Sequence, residues 1–224
     1  SANITPEIVL EIGAGHGVFL EEWGKVHQSS DRRAVEPNPI MAQYCRDIGV
    51  TVLESTSENA KDWRGIADLV VSFEVLEHAT DPLAFVSSIL KFVRPGGLVI
   101  ATGLCGDGFD IKVLGKKSKS ITPPHHINFC SVAGYEELFK RAGFENIQIQ
   151  TPGKLDVEIV RKTLEEDTLH LSNFERLLLK KEPKKEAKIK KVQQQVQKPK
   201  SQQKTQLSPV VSLLLSLLLR LLTT

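Results

Sequence analysis

The segment "VLEIGAGHGVFL", residues 9–20, places three glycines at alternate positions between an apolar run and an amphipathic one. Glycine reaches backbone angles that other residues avoid, and it lets main chain come close to another group. The helix predicted to follow would begin with unpaired N–H groups and the positive end of its dipole. A strand, a tight glycine loop and a helix start therefore imply a ligand held at the loop. The same alternation recurs downstream. Strands are predicted at 7–13, 32–37, 50–55, 67–76 and 98–103, and helices at 16–27, 38–49, 82–93 and 131–144. Asn38, Asp81 and Ser131 are the expected N-caps, and Gly49 and Gly143 the expected stops. Strands that alternate with helices over about 100 residues predict an α/β fold. The expected form is a doubly wound, mostly parallel sheet with helices on both faces. A Gly- and Lys-containing loop is expected over 104–124, and "ENIQIQ" (145–150) alternates like a late antiparallel strand.

In a doubly wound sheet the first strand–helix turn is the usual ligand site. A dinucleotide fingerprint would place its third glycine where this chain has Val18, which disfavours an NAD-dependent oxidoreductase. Glu36 ends the second predicted strand, where a carboxylate can accept two hydrogen bonds from a ribose diol. With "EIGAGHG" and "VEPNP", the stretches "DLVVSFEVLEHATDPLAFVSSILKFVRPGGLVIATG" (68–103) and "PPHHINFCSVAGYEELFKRAGFENIQI" (123–149) resemble the class I S-adenosylmethionine-dependent methyltransferases. The resemblance is to the broad group that contains the ubiquinone-biosynthesis O-methyltransferases and many bacterial small-molecule methyltransferases. It covers about residues 7–150. It implies S-adenosylmethionine as cofactor, with Glu11, Gly13, Ala14, Gly15 and Gly17 in the cofactor loop. Glu36 would hold the ribose hydroxyls beside Pro37 and Asn38. Thr56 and Ser57 would line the adenine, while Phe73 and Glu74 would face the methionine end and the acceptor. The sequence departs from many relatives at "ESTSEN", near the adenine.

Methyl transfer needs a base only where the acceptor loses a proton, as a hydroxyl does. The candidates are His78 in "EVLEH" and His126 in "PPHHINF", with His125 as a weaker third; His78 could equally serve by bonding backbone in its loop. No His, Cys, Asp or Glu spacing in the sequence marks a metal site, so no metal is expected. Three scattered cysteines (Cys45, Cys105, Cys130) give no disulfide framework and read as ordinary thiols in a reducing compartment.

Charge is uneven. Residues 180–204 carry ten lysines against two glutamates, which with Arg220 leaves residues 1–179 at a net −7 in a chain of +2. An acidic core argues against nucleic acid as a partner. The expected organisation is a methyltransferase domain over 1–152, a helical extension over 153–182 that opens with a Ser172–Glu175 capping box, and a Lys/Gln-rich tail over 183–224. The tail ends in an apolar segment (207–224) too short to span a bilayer and suited to lie on a membrane surface. Only six residues precede Glu7, so the helices that cover the cofactor in relatives are not expected from this sequence. The function read from the sequence is methyl transfer to a small-molecule, sugar or lipid acceptor, in the cytoplasm with peripheral membrane contact through the tail. The alternative is a catalytically silent subunit that binds S-adenosylmethionine.

Overall fold

A computed structural model describes residues 6–151, 154–166 and 172–174. Five strands form one sheet: β1 (Ile8–Ile12), β2 (Asp31–Val35), β3 (Thr51–Leu53), β4 (Ala67–Phe73) and β5 (Val93–Thr102). All pair in parallel in the order β3-β2-β1-β4-β5. The helices are α1 (Val18–Val26), α2 (Pro39–Asp47), α3 (Pro82–Leu90), α4 (Phe109–Leu114), α5 (Val132–Ala142) and α6 (Lys154–Glu166).

The period of two along each strand sorts side chains between two cores. Val9, Leu69 and Val71 pack with Phe19, Leu20 and Trp23 of α1 and Cys45 of α2. Their neighbours Leu10, Ile12 and Val70 point the other way, against Phe85, Val86 and Ile89 of α3, with Leu138 and Phe139 of α5 beside them. Both faces are thus covered, as a parallel sheet requires. The expected caps form. Asn38 accepts from the N–H groups of Ile40 and Met41, Asp81 from Ala84 and Ser131 from Gly134, while Gly143 ends α5 in the left-handed region.

Three readings of the sequence need correction. The fifth strand, expected at 98–103, already begins at Val93, so the "RPGG" segment lies inside β5. Ala67 pairs with Val93 and Leu69 with Leu98, so residues between them bulge out of the ladder. Gly97 is needed there because a Cβ would meet Val93 Cγ2 at 2.6 Å. Second, the 104–124 loop contains α4 and a short 3-10 turn, Gly115–Lys117. Third, residues 145–150 form no strand. Asn146 is left-handed at φ 54° and breaks the extended run, so the late antiparallel strand is missing from the described sheet.

The extension predicted from residue 153 begins as the helix α6, which docks on the domain. Val160 and Leu164 are 1% exposed and pack with Leu114 of α4. Among the described residues no helix is long and apolar enough to cross a membrane. The 183–224 tail and its apolar end, and Glu175 of the capping box, lie outside the described residues.

Candidate functional site

In this strand order the chain winds outward from β1 through β2 and β3, then returns to start β4 beside β1. The carboxyl ends of β1 and β4 are therefore the switch point, where the following loops diverge and leave a crevice. Residues 13–17 follow β1 and residues 74–80 follow β4. They share this crevice, since a Cβ on Gly13 would meet Val75 Cγ2 at 2.6 Å.

Gly13, Gly15 and Gly17 all have positive φ (72°, 54° and 73°), but for different surroundings. Gly13 is closed in by Val75. A Cβ on Gly17, the N-cap of α1, would meet Cys45 Sγ at 2.9 Å and Ile48 Cδ1 at 3.0 Å. A Cβ on Gly15 would meet nothing within 4 Å. The middle glycine thus opens onto space while the outer two are walled by the fold. Cys45 Sγ donates to the Gly15 carbonyl at 3.3 Å and holds the loop from α2. Burial pushes that thiol up to about 11, helped by the negative charges of Glu11 and Glu36, so it stays a neutral donor.

Glu36 stands beside this opening, 6% exposed. Its Oε2 accepts from Gly15 N–H at 2.8 Å and its Oε1 from Asn38 N–H at 2.9 Å. One carboxylate thus ties the glycine loop to the start of α2. Each oxygen keeps a second acceptor site for an incoming diol. Glu11 lies deeper at 5% exposed, with Oε2 buried and without a hydrogen-bond partner. Burial, then the charge of Glu36, holds its carboxyl well above the usual range. Ala14 is buried in the same loop and Pro37 is exposed at its rim.

Of the remaining expected cofactor residues, Ser57 is committed elsewhere. It is 2% exposed, and Ser88 of α3 donates to its Oγ at 2.6 Å. Thr56 is exposed next to it. Phe73 packs edge-on against Phe19, with ring centroids 5.1 Å apart. Glu74 is exposed and left-handed at φ 54°, its N–H donating to the Thr102 carbonyl. That rare conformation for a side-chain-bearing residue turns the chain sharply out of β4.

The other side of the crevice is built by two distant segments. Asn128 Nδ2 donates to the carbonyls of Leu76 and Ala79, and the N–H groups of Ile127 and Asn128 both reach the Glu77 carbonyl. This clasp brings His126 to His78, with ring centroids 4.9 Å apart and planes tilted by 59°. His78 Nδ1 lies 2.7 Å from the His125 carbonyl, and His126 Nδ1 lies 2.7 Å from the Ser120 carbonyl. A carbonyl oxygen only accepts, so each Nδ1 carries the proton and each neutral ring keeps its lone pair on Nε2. Ser120 is held in turn by Asp110, buried at 5% exposed, which accepts from the hydroxyls of Ser118 and Ser120. His125 contributes its carbonyl and is exposed.

Glu77 is 1% exposed beside the two rings, and its Oε2 has no hydrogen-bond partner. Burial raises its carboxyl and the charge of Glu74 adds to this, against the pull of its own N–H, His78 and His126. One ligating atom from each of Glu77, His78 and His126 lies within 4.8 Å of the others. Sequence spacing hides this grouping, because 77–78 and 126 are brought together by tertiary contacts, the Asn128 clasp and the His78–His125 hydrogen bond. The signal was "H-x-N" itself: an amide two residues after a histidine.

A family model for the methyltransferase domain matches residues 1–149. Among curated proteins, the ubiquinone biosynthesis O-methyltransferase of Pectobacterium atrosepticum is 32% identical over 98 residues, covering 41% of this chain and 40% of that protein. The enzyme of the same name from Proteus mirabilis is 33% identical over 96 residues, covering 41% and 39%. The chain spans about two fifths of the length of these relatives. Among solved structures, a SAM-dependent methyltransferase of Thermotoga maritima superposes with a TM-score of 0.53 at 24% identity, covering 64% of this chain and 66% of that one. A Haemonchus contortus phosphoethanolamine N-methyltransferase, solved with phosphomonomethylethanolamine and S-adenosylhomocysteine, gives a TM-score of 0.55 at 20% identity, covering 84% and 45%. At these identities the likeness is one of fold.

Proposed function

We propose that this chain, which belongs to the methyltransferase domain family, moves the methyl group of S-adenosylmethionine to a hydroxyl oxygen of a small molecule. The observation that carries the reading is the open space over Gly15, flanked by the buried Glu36 carboxylate, at the sheet's switch point. Gly15 and Glu36 supply what a nucleoside needs: close backbone approach and an acceptor pair for its ribose diol. The sulfonium brings its own activation, so the protein's work is to align donor and acceptor. On the far side of the crevice, His78 and His126 offer Nε2 lone pairs for a hydroxyl proton, each ring fixed by the carbonyl at its Nδ1. A hydroxyl acceptor must lose its proton on methylation, and this pair is placed to receive it. The names of the curated relatives support the same acceptor chemistry. Sugar or lipid hydroxyls remain within the class.

The test is transfer of a radiolabelled methyl group from S-adenosylmethionine to a panel of phenolic, sugar and lipid hydroxyls, with amines as the contrast. Labelled ether product from a hydroxyl acceptor, lost in His126→Ala, is expected. S-Adenosylhomocysteine binding without transfer to any acceptor would favour a silent binding subunit.

A further inference from the structure

We propose that Cys105 and Cys130 are a modification site: a thiol pair closed to a disulfide by a low-molecular-weight disulfide and reopened by thiols. The two residues are partners in an isolated parallel β-bridge, which ties the chain just past β5 to the chain just before α5. Partners across neighbouring strands stand about 4.8 Å apart and project to the same side. Disulfides join Cα atoms about 4.4–6.8 Å apart, so the pair lies within reach. More than the bridge presses these backbones together. Gly106 N–H donates to the Cys130 carbonyl at 2.8 Å, and a Cβ on Gly106 would meet the Phe129 carbonyl oxygen at 2.5 Å. Gly108 N–H donates to the Cys105 carbonyl at 2.8 Å and closes a turn that holds Cys105 in place. Both thiols are free and half-buried, so a small disulfide reaches them. Cys45, by contrast, is sealed in the core with its Sγ on the Gly15 carbonyl. Burial, then the negative charge of Cys105, pushes the Cys130 thiol up, so one sulfur feels the other.

The step is thiol–disulfide exchange. One cysteine thiolate attacks a sulfur of the small disulfide, forms a mixed disulfide and expels one small thiolate. The second cysteine thiolate attacks the protein sulfur of that mixed disulfide and expels the other. The two cysteines give up two electrons and two protons, and the small disulfide gains both and leaves as two thiols. Closure reaches the crevice through the backbone. Cys130 lies two residues after Asn128, which clasps the carbonyls of Leu76 and Ala79, and four after His126. A disulfide holds its Cβ atoms about 3.8 Å apart. That is roughly 1 Å less than the strand spacing, so closure draws Cys130 toward Cys105. The effect on activity rests on the methyl-transfer reading above, in which a shift of that size at His126 slows transfer. Gly15 and Glu36 stand on other elements, so the cofactor side is left alone. In a reducing compartment such a pair senses oxidant and is no permanent staple.

The experiment incubates the full chain with oxidised glutathione, alkylates the remaining thiols and identifies linked peptides by mass. One link is expected, joining Cys105 to Cys130 within a single chain and absent from Cys105→Ser and Cys130→Ser. Oxidised wild type should transfer methyl groups at least fivefold more slowly than reduced wild type and recover in dithiothreitol. Its affinity for S-adenosylhomocysteine should not change. Both serine variants should keep the reduced wild-type rate after the same treatment, and a thermal shift with S-adenosylhomocysteine shows that they are folded. If a variant does not fold, the wild-type link and its reversal decide. No link, glutathione adducts alone, or a link between two chains overturns the pair. A Cys105–Cys130 link that leaves transfer unchanged overturns its effect on the site. A reduced chain that methylates no acceptor counts against methyl transfer alone, because the link is read without methyl donor. Slower hydrogen exchange over residues 126–130 on oxidation then reports the closure, and unchanged exchange overturns it.

Discussion

The three glycines of the first loop share a backbone conformation and differ in what surrounds them, which separates their roles by substitution. At Gly13 and Gly17 an added methyl would strain the left-handed backbone and drive into Val75, or into Cys45 and Ile48. Left-handed strain of about 1–2 kcal/mol adds to overpacking of about 1–3 kcal/mol. Gly13→Ala and Gly17→Ala should therefore lose about 2–5 kcal/mol in urea denaturation. Gly15→Ala carries the strain without the collision, so it should fold, at a cost of about 1–2 kcal/mol, and still fail to bind S-adenosylhomocysteine in calorimetry. Equal affinity in folded Gly15→Ala would remove the loop from the cofactor site. Glu36→Gln keeps one acceptor oxygen but replaces the carboxylate that receives Gly15 and Asn38. It should weaken S-adenosylhomocysteine by about 1.5–3 kcal/mol, the scale of hydrogen bonds to a charged group. An analogue lacking both ribose hydroxyls should lose far less in the variant than in the wild type. These residues were legible because glycine spacing and a carboxylate at a strand end are local signals. Ser57 was not: its Oγ accepts from Ser88, 31 residues away, and no local pattern marks that choice.

At the scale of elements, the bulge in β5 gives "RPGG" a purpose. By looping residues out between Val93 and Leu98, it lets Arg94 Nε reach Asp68 Oδ1 at 2.6 Å. Asp68 Oδ2 also accepts from the N–H groups of Glu7 and Ile8, where β1 begins. The carboxylate ties three strands together at their amino ends. Partial burial pushes its pKa up, but the Ile8 N–H, Arg94 and the Glu7 N–H outweigh this, and the native value lies below the ordinary one. A lowered carboxylate stabilises the fold fully above the unfolded pKa of about 3.9, and that contribution fades as pH falls through the native value. Asp68→Asn should cost about 1–2 kcal/mol at pH 7, and the gap from wild type should close as pH drops below about 4. A gap that stays constant down to pH 2.5 would show that charge plays no part. The caps at Asn38, Asp81 and Ser131 could be read from sequence, because each acts on N–H groups two or three residues away. The bulge and the missing strand at 145–150 could not. Pairing is decided by the neighbouring strand, and an alternating pattern says nothing about whether a partner edge is there.

For the whole molecule, the parallel sheet fixes the cofactor side, while the acceptor side depends on segments added after it. His126 is positioned through Ser120, Ser120 through Asp110 at the start of α4, and α4 through α6. Alternation of strands and helices made the sheet readable. The dependence on α6 was not, because an amphipathic helix does not name the surface that receives it. The apolar faces of α4 and α6 meet apart from the two cores that flank the sheet. Replacing Leu164, 1% exposed, with aspartate should undock α6 at a cost of about 3 kcal/mol or more, since it buries a charge in place of a large apolar group. The loss should stay local. Hydrogen exchange should rise over residues 109–126 and remain slow in β1 and β4. Calorimetric affinity for S-adenosylhomocysteine should be near wild type, because Gly15 and Glu36 are held by β1, β2 and α2. Methyl transfer should fall at least tenfold, because the order of the 109–126 segment sets the position of His126. If Leu164→Asp left turnover intact while exchange over 109–126 rose, His126 would not need the Asp110–Ser120 support, and the acceptor side would have to be assigned to the 74–80 turn alone.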